Sequence, residues 1–135
     1  MKPTLVDTDI LLLFFRKHPL VVDRINDYLQ IYTYLNISVI TFYEIYHQLN
    51  NRRLALFEEF ISYNKIIPIT QDSLKISANI YKNLFNSKQQ VSDLNLLVAG
   101  MAIAHNLSLA TTQIKTYQPI TELVIKNWSI EDNEN

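Results

Sequence analysis

Five short apolar runs, separated by longer segments of helical period, constrain this chain more than any other feature of its sequence. The runs are Pro3-Thr4-Leu5-Val6-Asp7, Ile37-Ser38-Val39-Ile40, Lys65-Ile66-Ile67-Pro68-Ile69, Leu107-Ser108-Leu109-Ala110-Thr111 and a last one over Val124 to Trp128. Short apolar runs of this kind are typical of strands covered on both faces. The first is followed by a helix over roughly residues 8–16, and the break at His18-Pro19 restarts the chain into a helix with Val22, Ile25 and Leu29 at helical spacing. Thr41 is the expected N-cap of a helix carrying Phe42, Ile45 and Leu49, with Glu44 three residues after the cap. A further helix is expected from Arg52 to Tyr63 with Leu56, Phe57, Phe60 and Ile61 facing inward, and a longer one from Asp72. After a polar loop at Asn86 to Val91, Ser92 or Asp93 caps a helix whose Ala99, Gly100, Ala102 and Ala104 permit close packing on a sheet. The alternation predicts an α/β fold: a central, mostly parallel sheet of four to five strands with helices on both faces. Pro68 predicts an edge or end position for the third strand.

Length and composition limit what else the chain contains. Its 135 residues, 48% hydrophobic and 19% charged, suit one globular domain over residues 1–130, followed by an acidic polar tail over 131–135. No apolar run approaches the roughly 20 residues that cross a bilayer, and the N-terminus reaches Asp7 too early for a signal peptide. With no cysteine, disulfides and thiolate chemistry are excluded, which fits a reducing cytoplasm. Lys and Arg number 12 against 13 Asp and Glu, and three of those acids lie in the last five residues. The body is therefore near neutral, which permits an RNA partner without arguing for one. Gly100 is the one glycine, so a phosphate-cradling loop or dinucleotide turn is excluded.

The acids of the apolar segments carry the chemistry. Asp7 and Asp9 sit inside Leu5-Val6-Asp7-Thr8-Asp9-Ile10-Leu11, where a buried carboxylate costs several kcal/mol unless compensated. Ligands of open α/β sheets bind just beyond the carboxyl ends of the strands, where Asp7 is expected. Glu44 follows the second strand, and Asp93 opens a helix. Each has a plainer reading, as a helix cap or as half of a capping box with Thr41. Together, Asp7, Glu44 and Asp93 are expected to converge, and carboxylates in one cleft repel one another without a cation between them. Mg²⁺ or Mn²⁺ suits such an all-oxygen site, and such a cation assists phosphodiester hydrolysis.

These same residues resemble the PIN-domain family, and within it the VapC-type toxins. Leu5-Val6-Asp7-Thr8-Asp9-Ile10-Leu11 resembles the opening motif, whose first Asp is a metal ligand with the Thr close by. Ser38-Val39-Ile40-Thr41-Phe42-Tyr43-Glu44-Ile45 resembles the second, with Glu44 in the acidic position. Ser92 to Ala102 and Asn106 to Gln113 resemble the third and fourth motifs in register, and Val124 to Trp128 the last strand. The resemblance implies a PIN-like three-layer sandwich and an Mg²⁺- or Mn²⁺-dependent ribonuclease. Asp7 and Glu44 would be its main ligands, Asp93 and Asn95 would complete the set, and Thr8, Asp9 and Gln113 would support it. It also implies an RNA substrate and an antitoxin partner.

Two positions depart from the pattern. The third acid falls on Asn95 rather than Asp93, and the fourth position, usually Asp or Asn, falls on Gln113. Asp93 stands about 200° from residue 95 around a regular helix. These departures favour the alternative expectation, a PIN-fold module that binds RNA or protein without cutting.

The remaining features have plainer readings. Arg16-Lys17 and Arg52-Arg53 are expected on solvated surface, His47 on the surface near Glu44, and Trp128 in the core or at its rim. The apolar face of the helix after Asp23 is a candidate homodimer or antitoxin interface. An Asp7-x-Asp9 nucleophile of the haloacid-dehalogenase type lacks its later Gly-Asp motif, which occurs nowhere in the chain.

Overall fold

In the computed structural model, which describes residues 2–132, the apolar runs form five parallel strands. They are β1 (Thr4–Val6), β2 (Asn36–Ser38), β3 (Lys65–Ile67), β4 (Ser108–Ala110) and β5 (Ile125–Lys126). The helices are α1 (Thr8–Phe15), α2 (Pro19–Tyr32), α3 (Val39–Tyr46), α4 (Asn51–Ser62), α5 (Gln71–Leu84), α6 (Asp93–Ala104) and the short α7 (Ile114–Tyr117). The sheet order is β3-β2-β1-β4-β5, so β3 is an edge strand and Pro68 follows its last residue.

Strand alternation divides the core into two layers. Leu5 and Leu109 are paired in register and point to one face, where they pack with Ala99 and Ala102 of α6 and Ile80 of α5. Val6 and Ala110, the next registered pair, point to the other face and pack with Ile10 of α1, Ile25 of α2 and Phe57 of α4. The result is a three-layer sandwich, with the sheet between two sets of helices.

Chain order then fixes where a ligand fits. From β1 the chain runs outward through β2 to β3, then returns to place β4 on the other side of β1. The β1–β4 boundary is thus the switch point, and the crevice beyond its carboxyl ends is the natural binding place in an open α/β sheet. Asp7 follows β1 there, and its backbone N–H donates to the Ala110 carbonyl at 2.9 Å.

Several sequence expectations are corrected. The second strand stops at Ser38, and Val39 and Ile40 are already helical. Ser38, not Thr41, is the N-cap of α3, its Oγ accepting from the Thr41 backbone N–H at 3.0 Å. Glu44 is therefore no part of a capping box with Thr41. α5 starts before Asp72, under a Thr70–Ser73 capping box. Leu56 is 64% exposed, not inward. Gly100 packs on α5 rather than on the sheet: a Cβ there would lie 2.0 Å from Ser77 Oγ and 2.5 Å from the Ser73 carbonyl. At the carboxyl end, Arg24 donates to the Ile130 carbonyl and lies 3.6 Å from Asp132, while residues 133–135 of the expected tail lie outside the described residues.

Candidate metal centre

Three carboxylates face the crevice between β1, α3 and β4, and neutral groups hold each of them. Asp7 is 4% exposed. Its Oδ1 accepts from the Thr8 backbone N–H at 3.0 Å, capping α1, and its Oδ2 accepts from Thr111 Oγ1 at 2.8 Å. Asp9 Oδ1 accepts from Ile10 N–H at 2.8 Å, and its Oδ2 accepts from both the backbone N–H and the hydroxyl of Thr112. Glu44 Oε1 accepts from Thr8 Oγ1.

Proton counting extends the Glu44 contact into a chain. A threonine hydroxyl carries a single proton. If Thr8 gives its proton to the Glu44 carboxylate, the stronger acceptor, then its 2.9 Å contact with Thr41 Oγ1 is one in which Thr8 accepts. Thr41 Oγ1 lies 3.3 Å from Ser38 Oγ, which supplies the next proton. The N-cap of α3 thus feeds a line of hydroxyls that ends on Glu44.

Charge is concentrated here without a counter-charge. Among the described residues, no lysine or arginine pairs with Asp7, Asp9 or Glu44. Burial, with added repulsion from Asp9 and Glu44, raises the Asp7 carboxyl to about 7, against the opposing hydrogen bonds from Thr111 and Thr8. The Tyr117 phenol is raised as well, first by burial and then by the charges of Asp7, Asp9 and Glu44. Its hydroxyl donates to Asn95 Oδ1 at 3.1 Å.

The convergence expected of Asp7, Glu44 and Asp93 has a different membership. Asp9 is the third acid acting on Asp7, whereas Asp93 is exposed in the first turn of α6 and is not among the charges that shift Asp7 or Tyr117. Asn95 is half-buried and, through Tyr117, reaches the same crevice. Gln113 is exposed and bonds locally through its backbone, its N–H donating to Thr111 Oγ1 at 3.0 Å and its carbonyl accepting from the Tyr117 N–H at 3.3 Å. The fourth motif reaches the site through Thr111 and Thr112 instead. Those two threonines, Thr41 and Tyr117 are the site residues that sequence reasoning missed. The signal for the threonines was available: they directly follow the β4 run, as Asp7 and Thr8 follow β1.

As a donor set, these residues suit a hard divalent cation. All the candidate donor atoms are oxygens, and a buried carboxylate without a counter-charge gains most from a cation. Asp7, Asp9 and Glu44 each keep a lone pair beyond the hydrogen bonds described. Among the described residues no three Asp, Glu or His side chains are gathered closely enough to hold a metal ion together. A cation here would need Asn95 or solvent to fill its shell.

Fold and site together define an open, parallel α/β domain with an acidic, oxygen-lined crevice at its switch point. More narrowly, the chain belongs to the PIN domain family, whose model matches residues 4–113. No curated protein matches it. Among solved structures, it is similar to a chain of VapBC2 from Rickettsia felis bound to a promoter DNA fragment, with a TM-score of 0.81 and 23% identity over 93% of this chain and 98% of that one. It is likewise similar to DNA-bound VapBC from Salmonella typhimurium, with a TM-score of 0.81 and 23% identity over 95% and 99%. A third similar structure is FitAcB from Neisseria gonorrhoeae, with a TM-score of 0.77 and 20% identity over 93% and 97%. At these identities the likeness shows the fold.

Proposed function

We propose that this chain is a divalent-metal-dependent ribonuclease and the toxin of a toxin–antitoxin pair. The observation that carries the reading is Asp7: a buried carboxylate crowded by Asp9 and Glu44, without a basic partner among the described residues, at the switch-point crevice. Asp7 and Glu44 would hold the Mg²⁺ or Mn²⁺, with Asp9 and the Asn95 carbonyl beside them. Bound there, the cation supplies the charge that polarises a phosphodiester and activates water. Thr8 and Thr41 orient Glu44, and Thr111 orients Asp7, so that the carboxylates are positioned before substrate arrives.

An antitoxin partner is supported by the VapBC complexes to which the fold is similar. Among the described residues, no helix is long and apolar enough to cross a membrane. A cytoplasmic site of action belongs to the same proposal.

The test is cleavage of single-stranded RNA by the purified chain with Mg²⁺ or Mn²⁺, against EDTA and against Glu44→Ala. Cleavage that needs metal and is lost in Glu44→Ala supports the reading, and equal cleavage by both forms contradicts it. The binding-only reading draws on one observation, the neutral amide of Asn95 in an acid's place. RNA binding without cleavage, unchanged in Asn95→Asp, would favour it.

A further inference from the structure

Tyr117 has no role in the motifs and lies beyond the stretch matched by the family, yet it reaches into the acidic crevice. It ends α7, is 0% exposed, and its hydroxyl bond to Asn95 joins two segments 22 residues apart. We infer that Tyr117 is a positioning residue, whose hydroxyl fixes the Asn95 amide with its carbonyl oxygen toward the Asp7 crevice and so lets a neutral side chain serve as a cation ligand. The inference rests on the metal-dependent reading above and deepens it.

The two ends of an amide differ in what they offer a cation. Asn95 offers a carbonyl oxygen or an NH₂ group, exchanged by a half-turn about its last side-chain bond. The NH₂ repels a cation and the oxygen binds it. A carboxylate has two equivalent oxygens and needs no such choice made for it, so asparagine at this place requires something to set its orientation.

Tyr117 supplies what is needed. A buried phenol must place its hydroxyl against a partner, and at neutral pH an ordinary phenol carries its proton and can donate it. Asn95 Oδ1 accepts that proton at 3.1 Å. One lone pair of the carbonyl then remains. The Asn95 backbone is held independently, its N–H bonding to the Ser92 cap at 3.2 Å. The charges of Asp7, Asp9 and Glu44 all act on the Tyr117 hydroxyl, so the Asn95 oxygen that it holds lies on the side of those acids.

The test is calorimetric titration with Mn²⁺ alone, without RNA, on wild type, Tyr117→Phe, Asn95→Asp and the double variant, with Asp7→Asn as the reference. Metal-free thermal unfolding of each confirms that it is folded. Tyr117→Phe should weaken Mn²⁺ binding about tenfold or more, the scale on which partners that orient ligands act. In the Asn95→Asp background the same change should cost less than about twofold, because an acid has no orientation to set. Equal losses in both backgrounds, or no loss in the first, overturns the inference. If Asp7→Asn abolishes binding while Tyr117→Phe leaves it intact, the metal site stands and only the Tyr117 role falls. If wild type itself binds no Mn²⁺, both fall.

Discussion

The two ends of strand β1 are equally buried but opposite in electrostatics. At its start, the Thr4 N–H donates to Tyr28 Oη at 3.0 Å, and Asn36 Nδ2 donates to the Thr4 carbonyl at 3.1 Å and to Tyr28 Oη at 3.3 Å. Every group there is neutral and paired, and such a network stabilises the fold. At the far end, three residues away, Asp7 meets Asp9 and Glu44, and hydroxyls rather than cations hold the acids. Neutral hydrogen bonds can aim a carboxylate but cannot cancel its charge. One end of the strand is built for stability, and the other stores an electrostatic cost that a cation can relieve.

Substitutions at the two ends test this contrast. The largest effect is expected for Asp7→Asn, which keeps the shape but removes the charge. Mn²⁺ binding should disappear, and metal-dependent RNA cleavage should fall by at least about a thousandfold, or about 4 kcal/mol. Binding retained within a few-fold would remove Asp7 from the site.

The pH dependence should be next in size. The Asp7 carboxyl has an ordinary value of 3.8 and lies at about 7 in the fold, so between those values the folded chain holds a proton that the unfolded chain has lost. Metal-free stability from this group is therefore highest at low pH, falls as pH rises through that window and levels off above it, by up to about 4 kcal/mol. Chemical denaturation across the window should show that slope in wild type and lack it in Asp7→Asn. An identical slope in both would contradict the assignment.

Asn36→Ala should produce the converse pattern. It removes donors from the Thr4 carbonyl and Tyr28 Oη, and should destabilise the chain by about 1–3 kcal/mol. Mn²⁺ affinity, read by calorimetry on the folded protein, should not change. A large loss of affinity would mean that the two ends of β1 are coupled. The smallest effect is expected for Thr41→Val, which breaks the hydroxyl line to Glu44. Cleavage should drop about tenfold, with the melting temperature shifted by only a few degrees.

Much of this arrangement was legible in the sequence, because strand runs and strand-end acids are local features. Leu5-Val6-Asp7 announces its own burial and its own charge, and Glu44 could be placed on the helix that follows the second strand. The partners of those acids were not legible. Thr111 and Thr112 meet Asp7 and Asp9 because β4 lies beside β1, across 104 and 103 residues of chain. No periodicity states which strands are neighbours. Ser38 was misread for a related reason: Val39 and Ile40 favour strands by their branching, yet the Ser38 cap and packing of Ile40 and Ile45 into the two cores turn them helical. Tyr117, an aromatic among many, carries no mark of the hydroxyl contact that sets it apart.

The most direct test of the account is anomalous diffraction from a crystal soaked in Mn²⁺. The expected result is one strong peak coordinated by the carboxylates of Asp7 and Glu44, on the side of the crevice shared with Asn95. A peak held by other residues, or Asp7 and Glu44 turned into separate regions with no peak between them, would contradict it.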